Sequence, residues 1–172
     1  MLSIVIPYYK RTYFETTLQS LIQQTDQRFN VYIGDDASPE DPLELLNKYD
    51  GCFDFNYQRF EKNLGSLSLV KQWERCIGLT NDEEWLMILG DDDVLQPNFI
   101  EAFYNKQEEI KQAEVKVVRF ASQVIDGEGH PISKIVLQPK LEMASDAFFR
   151  KRDGLNRSSL SEYVFSRESY HK

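Results

Sequence analysis

Long apolar runs alternate with helical periodicity along the first two thirds of the chain. "LSIVIPYY" is continuously apolar, ends at Pro7, and predicts a strand buried on both faces. "TYFETTLQSLIQQT" places Phe14, Leu18, Leu21 and Ile22 on one helical face, with Thr12 and Glu15 in capping-box spacing. "FNVYIG" predicts a second strand. "SPEDPLELLNKYDG" predicts a short helix, with Ser38 or Asp41 as N-cap and Gly51 past its end.

"CFDFNYQRF" alternates as a third strand. "SLSLVKQWERCIGLT" sets Leu69, Val70, Trp73, Cys76 and Ile77 on one side of a helix. "EWLMIL" predicts a fourth strand. "PNFIEAFYNKQEEIKQA" predicts a helix opened by Pro97, and "VKVVRFASQVI" a fifth strand. Strand and helix in repeated alternation predict a three-layer α/β domain with a mostly parallel central sheet and right-handed crossovers.

After about residue 125 the alternation stops. "IDGEGHPISKIVL" predicts a hairpin around Gly127 to Gly129, with His130 as a turn residue. "LEMASDAFFRKRDG" reads as an amphipathic helix or lid, and "SSLSEYVFSRESY" as a strand or strand–helix junction.

The chain has 172 residues, 41% of them hydrophobic and 28% charged, so it can bury a core of ordinary size. Its net charge of -8 argues against nucleic acid as a partner. Cys52 and Cys76 have no metal spacing and read as buried thiols of a reducing compartment. No stretch has the length of a membrane span or the form of a signal peptide.

The chemistry is carried by carboxylates at strand ends. In a parallel sheet the carboxyl ends of the strands share one edge, where ligands bind. Asp35 and Asp36 follow the second strand; Asp91, Asp92 and Asp93 follow the fourth; Pro7, Tyr8 and Tyr9 close the first. Two carboxylates about 4 Å apart repel by roughly 4 kcal/mol at an effective dielectric of about 20, so such a rim needs water or a cation. An oxygen-rich site of this kind suits Mg2+ or Mn2+, which leave coordination positions for substrate phosphates. The plainer reading of "DDD" is a solvated acidic turn ahead of a helix N-terminus; the second acidic turn, "GDDAS", favours a site.

The order "SIVIPYYKR", "VYIGDDAS", "NLGS" and "WLMILGDDDVLQP" resembles the family 2 glycosyltransferases with a GT-A fold, well over residues 2 to about 125 and loosely beyond. The resemblance implies one GT-A-like domain over 1–172, with 1–97 as the nucleotide-binding half and 98–172 as a partial acceptor-side half. It places Pro7, Tyr8 and Tyr9 at the nucleotide base, with Arg11 close by, and leaves a core role for one tyrosine as the alternative. It gives Asp36 to the uracil ring and Asp35 to orienting the turn. It sets Asn63 and Gly65 beside the nucleotide, with Lys71 and Arg75 following on a helix whose plainer role is a solvated face. Alignment through Pro97 makes Asp92 the metal ligand, with Asp91 near ribose or metal and Asp93 last. The frequent first Asp of that pattern falls on Gly90.

The implied reaction moves a sugar from a nucleotide-diphospho-sugar, most often a UDP-sugar, to a hydroxyl of a saccharide or lipid-linked saccharide. Mn2+ or Mg2+ holds the diphosphate, and a carboxylate base takes the hydroxyl proton. In the family that base lies well past the acidic turn, which places it beyond residue 172 in a truncated chain; Glu162, Asp153, Glu168 and His171 are the remaining candidates. A cytoplasmic location is expected, with attachment at the inner membrane face as a variant. Two other readings stand beside it. A sugar nucleotidyltransferase needs a glycine-rich loop after the first strand, and "PYYKRTYF" has no glycine. A non-catalytic module is the other: a sugar-nucleotide binder, or a receiver domain, for which the Asp and Lys positions are missing.

Overall fold

The computed structural model describes residues 1–170. Six strands form one sheet in the order β3-β2-β1-β4-β6-β5. They are β1 (Leu2–Tyr8), β2 (Phe29–Asp35), β3 (Phe55–Arg59), β4 (Trp85–Ile88), β5 (Val117–Arg119) and β6 (Tyr163–Ser166). The first four are mutually parallel, and β6 lies antiparallel between β4 and β5. The expected three-layer α/β architecture with a mostly parallel sheet is therefore present.

The alternation of side chains along β1 divides the core. Leu2, Ile4, Ile6 and Tyr8 face one layer, built with Phe14, Leu18, Leu21, Leu45, Leu46, Phe99, Ile100, Phe103 and Ile110. These come from α1 (Phe14–Ile22), α2 (Leu43–Lys48), α4 (Phe99–Asn105) and α5 (Gln107–Gln112). Val5 faces the other layer with Leu86, Ile88, Cys76 and Ile77, the last two from α3 (Leu69–Ile77). The remaining helices are α6 (Ala144–Arg152), a single 3-10 turn (Leu160–Glu162) and α7 (Arg167–Tyr170).

Several expectations are corrected. β1 runs through Pro7 to Tyr8. Its pairing with β4 ends at Val5↔Ile88, so the ring sits where no neighbouring strand asks for an N–H. Thr12 and Glu15 form no capping box, because Glu15 accepts instead from Lys48 Nζ (2.5 Å) and Tyr49 OH (2.8 Å). The N-cap of α2 is Pro42, not Ser38 or Asp41, although Asp41 accepts from Leu43 N–H at 2.9 Å. Leu69 and Val70 are exposed; Gln72 takes the buried place, donating to the Gly34 carbonyl. The long helix over 97–113 is divided at Lys106.

The fifth strand is short because Ser122 and Ile125 turn away to bridge Val136 and Pro131. These bridges build the expected hairpin, whose tip is fixed by Asp126 accepting from the amides of Glu128 and His130. α6 buries none of its residues, so it is not amphipathic against this fold. Cys76 is buried as expected, whereas Cys52 is exposed. Among the described residues, no helix is long and apolar enough to cross a membrane.

Candidate active site

The carboxyl ends of β2, β1 and β4 lie side by side, and the backbone of residues 8–10 ties them together. On one flank, Asp36 N–H donates to the Tyr8 carbonyl (3.0 Å) and Ser38 Oγ donates to the Tyr9 carbonyl (2.6 Å). On the other, Asp91 Oδ2 accepts from the amides of Tyr9 (2.7 Å) and Lys10 (2.8 Å). Acidic turns from sequence positions more than fifty residues apart thus bracket one strand end.

The two carboxylates after β2 have different work. Asp35 is fully buried. It accepts from Ser38 N–H (2.8 Å), Tyr57 OH (2.7 Å) and Arg59 Nη1 (2.6 Å), which fixes the turn. Burial, and then the hydrogen bond to the Asp35 carboxylate, push the Tyr57 hydroxyl pKa well above its ordinary value. Asp36 is also buried and accepts from the amides of Leu64 (2.6 Å) and Gly65 (2.8 Å) and from Arg75. Gly65 is needed here for close approach: a Cβ on it would lie 2.5 Å from Asp36 Oδ2. Arg75 also donates to the Lys62 carbonyl (2.9 Å) and lies over the Phe60 ring. Its plainer assignment to a solvated face is thereby replaced by a role in holding the 62–65 loop to the β2 turn. Asn63 caps the same loop by accepting from Ser66 N–H at 2.8 Å.

Residues 90–93 form a β-turn closed by Asp93 N–H on the Gly90 carbonyl (3.2 Å). Asp91 and Asp92 are its corner residues. Asp91 is half-buried, and desolvation, aided by the neighbouring Asp92 charge, raises its pKa despite the two amide bonds. Asp92 is exposed. Gly90 stands where the family pattern often has an acid: a Cβ there would meet Asp93 Oδ2 at 2.8 Å and Asp92 Oδ1 at 3.0 Å. The turn packs its own carboxylates over that position.

The tyrosines separate. Tyr8 is fully buried, rests against Phe14 with ring centroids 4.6 Å apart, and donates its hydroxyl to the Glu40 carbonyl. Burial pushes its pKa up to about 12. Tyr8 is therefore a core residue, and Tyr9, 38% exposed, is the ring left at the rim beside half-buried Pro7. Arg11 and Lys71 are exposed. The Arg11 amide donates to Glu40, and its guanidinium lies 3.5 Å from Glu44, away from the acidic turn.

The candidate bases fare differently. Glu162 is buried and fully engaged, accepting from Arg119 (2.7 and 2.9 Å) and Ser122 Oγ (2.7 Å), so it is an anchor. Glu168 follows β6, which runs antiparallel to β4; it lies at the opposite edge of the sheet and pairs with Lys116 at 2.7 Å. Asp153 is exposed beyond α6 beside Arg152. His171 lies outside the described residues. Ser161, which the sequence reading passed over, donates to Asp93 and accepts from Gly90 N–H (3.1 Å). Nothing in its local sequence signals a contact 68 residues away.

A mostly parallel α/β sheet with an antiparallel strand beside β4, and acidic turns around its central strand end, is a GT-A fold. Residues 1–349 of S. aureus TarS share it with a TM-score of 0.68 at 18% identity, over 96% of this chain and 46% of that one. The same protein in complex with UDP gives 0.64 at 21% identity, over 76% and 38%. The glycosyl transferase family 2 model matches residues 3–165, and the chain belongs to that family. An uncharacterized glycosyltransferase of Haemophilus influenzae is 35% identical over 99 residues, 56% of this chain and 31% of the relative. The chain thus spans less than half the length of these relatives.

Proposed function

We propose that this chain forms the donor-binding part of a glycosyltransferase that moves a sugar from a UDP-sugar to an acceptor hydroxyl with Mn2+ or Mg2+. The observation that carries the reading is the bracketing of residues 8–10 by Asp36 on one side and Asp91 on the other. It supports a ledge that, on this reading, has a nucleoside end and a diphosphate end. Tyr9 and the Asn63–Gly65 loop border the nucleoside end, where Asp36 is the group for the uracil ring. The bound UDP in a structural neighbour supports the choice of nucleotide.

The donor set fits a divalent ion of the sparing kind. Among the described residues no three His, Cys, Asp or Glu side chains form a ready metal cage. Asp91 is committed to two amides and Asp93 to Ser161, which leaves exposed Asp92 as the principal ligand. Mg2+ and Mn2+ accept one or two carboxylates when phosphates and water complete the shell. Such an ion supplies positive charge for the departing diphosphate. In the transfer, the acceptor oxygen bonds to the anomeric carbon, the carbon–oxygen bond to diphosphate breaks with its electron pair leaving on UDP, and a base takes the hydroxyl proton. The acceptor would be a saccharide or lipid-linked saccharide.

Engagement of Glu162 and the remote position of Glu168 favour a second reading, a sugar-nucleotide binder without transfer activity. Isothermal titration of UDP with and without Mn2+ tests both. UDP should bind, and Mn2+ should tighten it. Asp92→Asn should remove the metal increment, while Asp36→Asn should weaken binding under both conditions. No UDP binding in either condition would refute both readings; release of free sugar or a glycosylated acceptor from UDP-sugar separates enzyme from binder.

A further inference from the structure

We infer that Ser161 is a positioning residue for the acidic turn, and that it couples the acceptor-side strand pair to the site of the diphosphate. The inference rests on the donor-binding reading above. The Ser161 hydroxyl sits between both ends of the 90–93 turn: it accepts from Gly90 N–H at 3.1 Å and donates to Asp93 Oδ2. One hydroxyl therefore fixes the first and fourth residues of a turn whose corners are Asp91 and Asp92. Asp91 has a second tether, through the amides of Tyr9 and Lys10. Among the described residues Asp92 has no such tether, so its direction depends on the turn being held.

Ser161 is itself held from below. The next residue, Glu162, is buried and receives Arg119 from β5 and Ser122 from the start of the hairpin. Its carbonyl accepts from Phe120 N–H at 2.8 Å. Arg119 is half-enclosed too, donating onward to the Arg157 carbonyl. A buried carboxylate with its guanidinium partner keeps one geometry, because either group left alone would be a desolvated charge. The path Ser122–Glu162–Ser161–Asp93 is thus a continuous set of bonds and one peptide link from the 122–136 hairpin to the metal-facing turn.

Four proteins test this: wild type, Ser161→Ala, Ser161→Thr and, as a control, Ser158→Ala, since among the described residues the Ser158 side chain bonds only to Tyr163 (2.7 Å). Mn2+ binding is read by electron paramagnetic resonance with and without UDP, UDP binding by calorimetry without metal, and Gly90 amide exchange by NMR. Ser161→Ala loses both hydrogen bonds of the hydroxyl, which predicts Mn2+ binding in the presence of UDP weakened by at least about three- to tenfold, with Gly90 exchange faster by a similar factor. Metal-free UDP binding should stay at the wild-type value, and Ser161→Thr should restore both losses. Unchanged Mn2+ binding and Gly90 exchange in Ser161→Ala would overturn the inference. So would an equal loss of metal-free UDP binding, which marks general loosening. A wild-type chain that binds no UDP overturns the donor-binding reading, and this inference with it, before any variant is compared.

Discussion

Gly65→Ala puts the junction between the 62–65 loop and the Asp36 carboxylate under direct stress. The added Cβ would lie 2.5 Å from Asp36 Oδ2, well inside van der Waals contact. That oxygen has little freedom to retreat. The carboxylate is buried and held by the amides of Leu64 and Gly65 and by Arg75. Relief requires the 62–65 loop to move out, which removes at least one hydrogen bond to a charged acceptor. Such a bond contributes about 1.5–3 kcal/mol, and the buried carboxylate left short of a donor sets the cost at the upper end. For a chain of this length, about 2–3 kcal/mol corresponds to a melting temperature lower by roughly 4–12 °C. Urea unfolding and thermal melts of wild type and variant measure it, with Gly51→Ala as the comparison. Gly51 has φ +75° and nothing within 4 Å of a Cβ, so that change costs only the left-handed backbone term, about 1–2 kcal/mol. On the proposed donor-binding reading, UDP affinity should fall in Gly65→Ala and be unchanged in Gly51→Ala. Stability of Gly65→Ala within about 0.5 kcal/mol of wild type would refute the close-approach reasoning.

Three further outcomes follow from particular environments. Asp35→Asn should destabilise the chain by about 2–3 kcal/mol in urea, because the charge that joins Ser38, Tyr57 and Arg59 is removed from a buried site. Burial pushes the Cys76 thiol up to about 12, whereas Cys52 is exposed, so a thiol reagent at neutral pH should label Cys52 in the native chain and both cysteines in denaturant. Burial acts to raise the Glu83 pKa, but hydrogen bonds from Tyr32 and Asn30 outweigh it and hold it below its ordinary 4.5. A lowered carboxyl stabilises the fold above the unfolded value and loses that contribution as pH falls through the folded one. The acid limb of stability below about pH 4.5 should therefore be shallower in Glu83→Gln, and an unchanged limb would exclude Glu83 as a contributor.

The strands β1, β2 and β4 were legible because a strand buried on both faces must be continuously apolar, and few other elements are. The acidic turns were legible for a related reason: in a parallel sheet, whatever follows a strand lies on the ligand edge, whichever strands are neighbours. Side-chain roles within those turns were less so. Tyr8 and Tyr9 are chemically alike, and only the pleat of β1, with Tyr8 on the face of Ile4 and Ile6, sends one to the core and leaves the other at the rim. Leu69 and Val70 fitted a helical stripe. Yet the end of β2 presents the Gly34 carbonyl to α3, and Gln72, not an apolar side chain, satisfies it.

The amino-acid sequence alone determined the order of strands and helices and the placing of carboxylates at strand ends, because hydrophobic period and turn chemistry are local properties. Only the tertiary structure decided that β6 inserts between β4 and β5, that Glu162 is buried against Arg119, and that Ser161 closes the turn of Gly90 and Asp93. Those outcomes depend on contacts between residues tens of positions apart, and a local pattern carries no record of which distant group will arrive to satisfy a buried charge or a free amide.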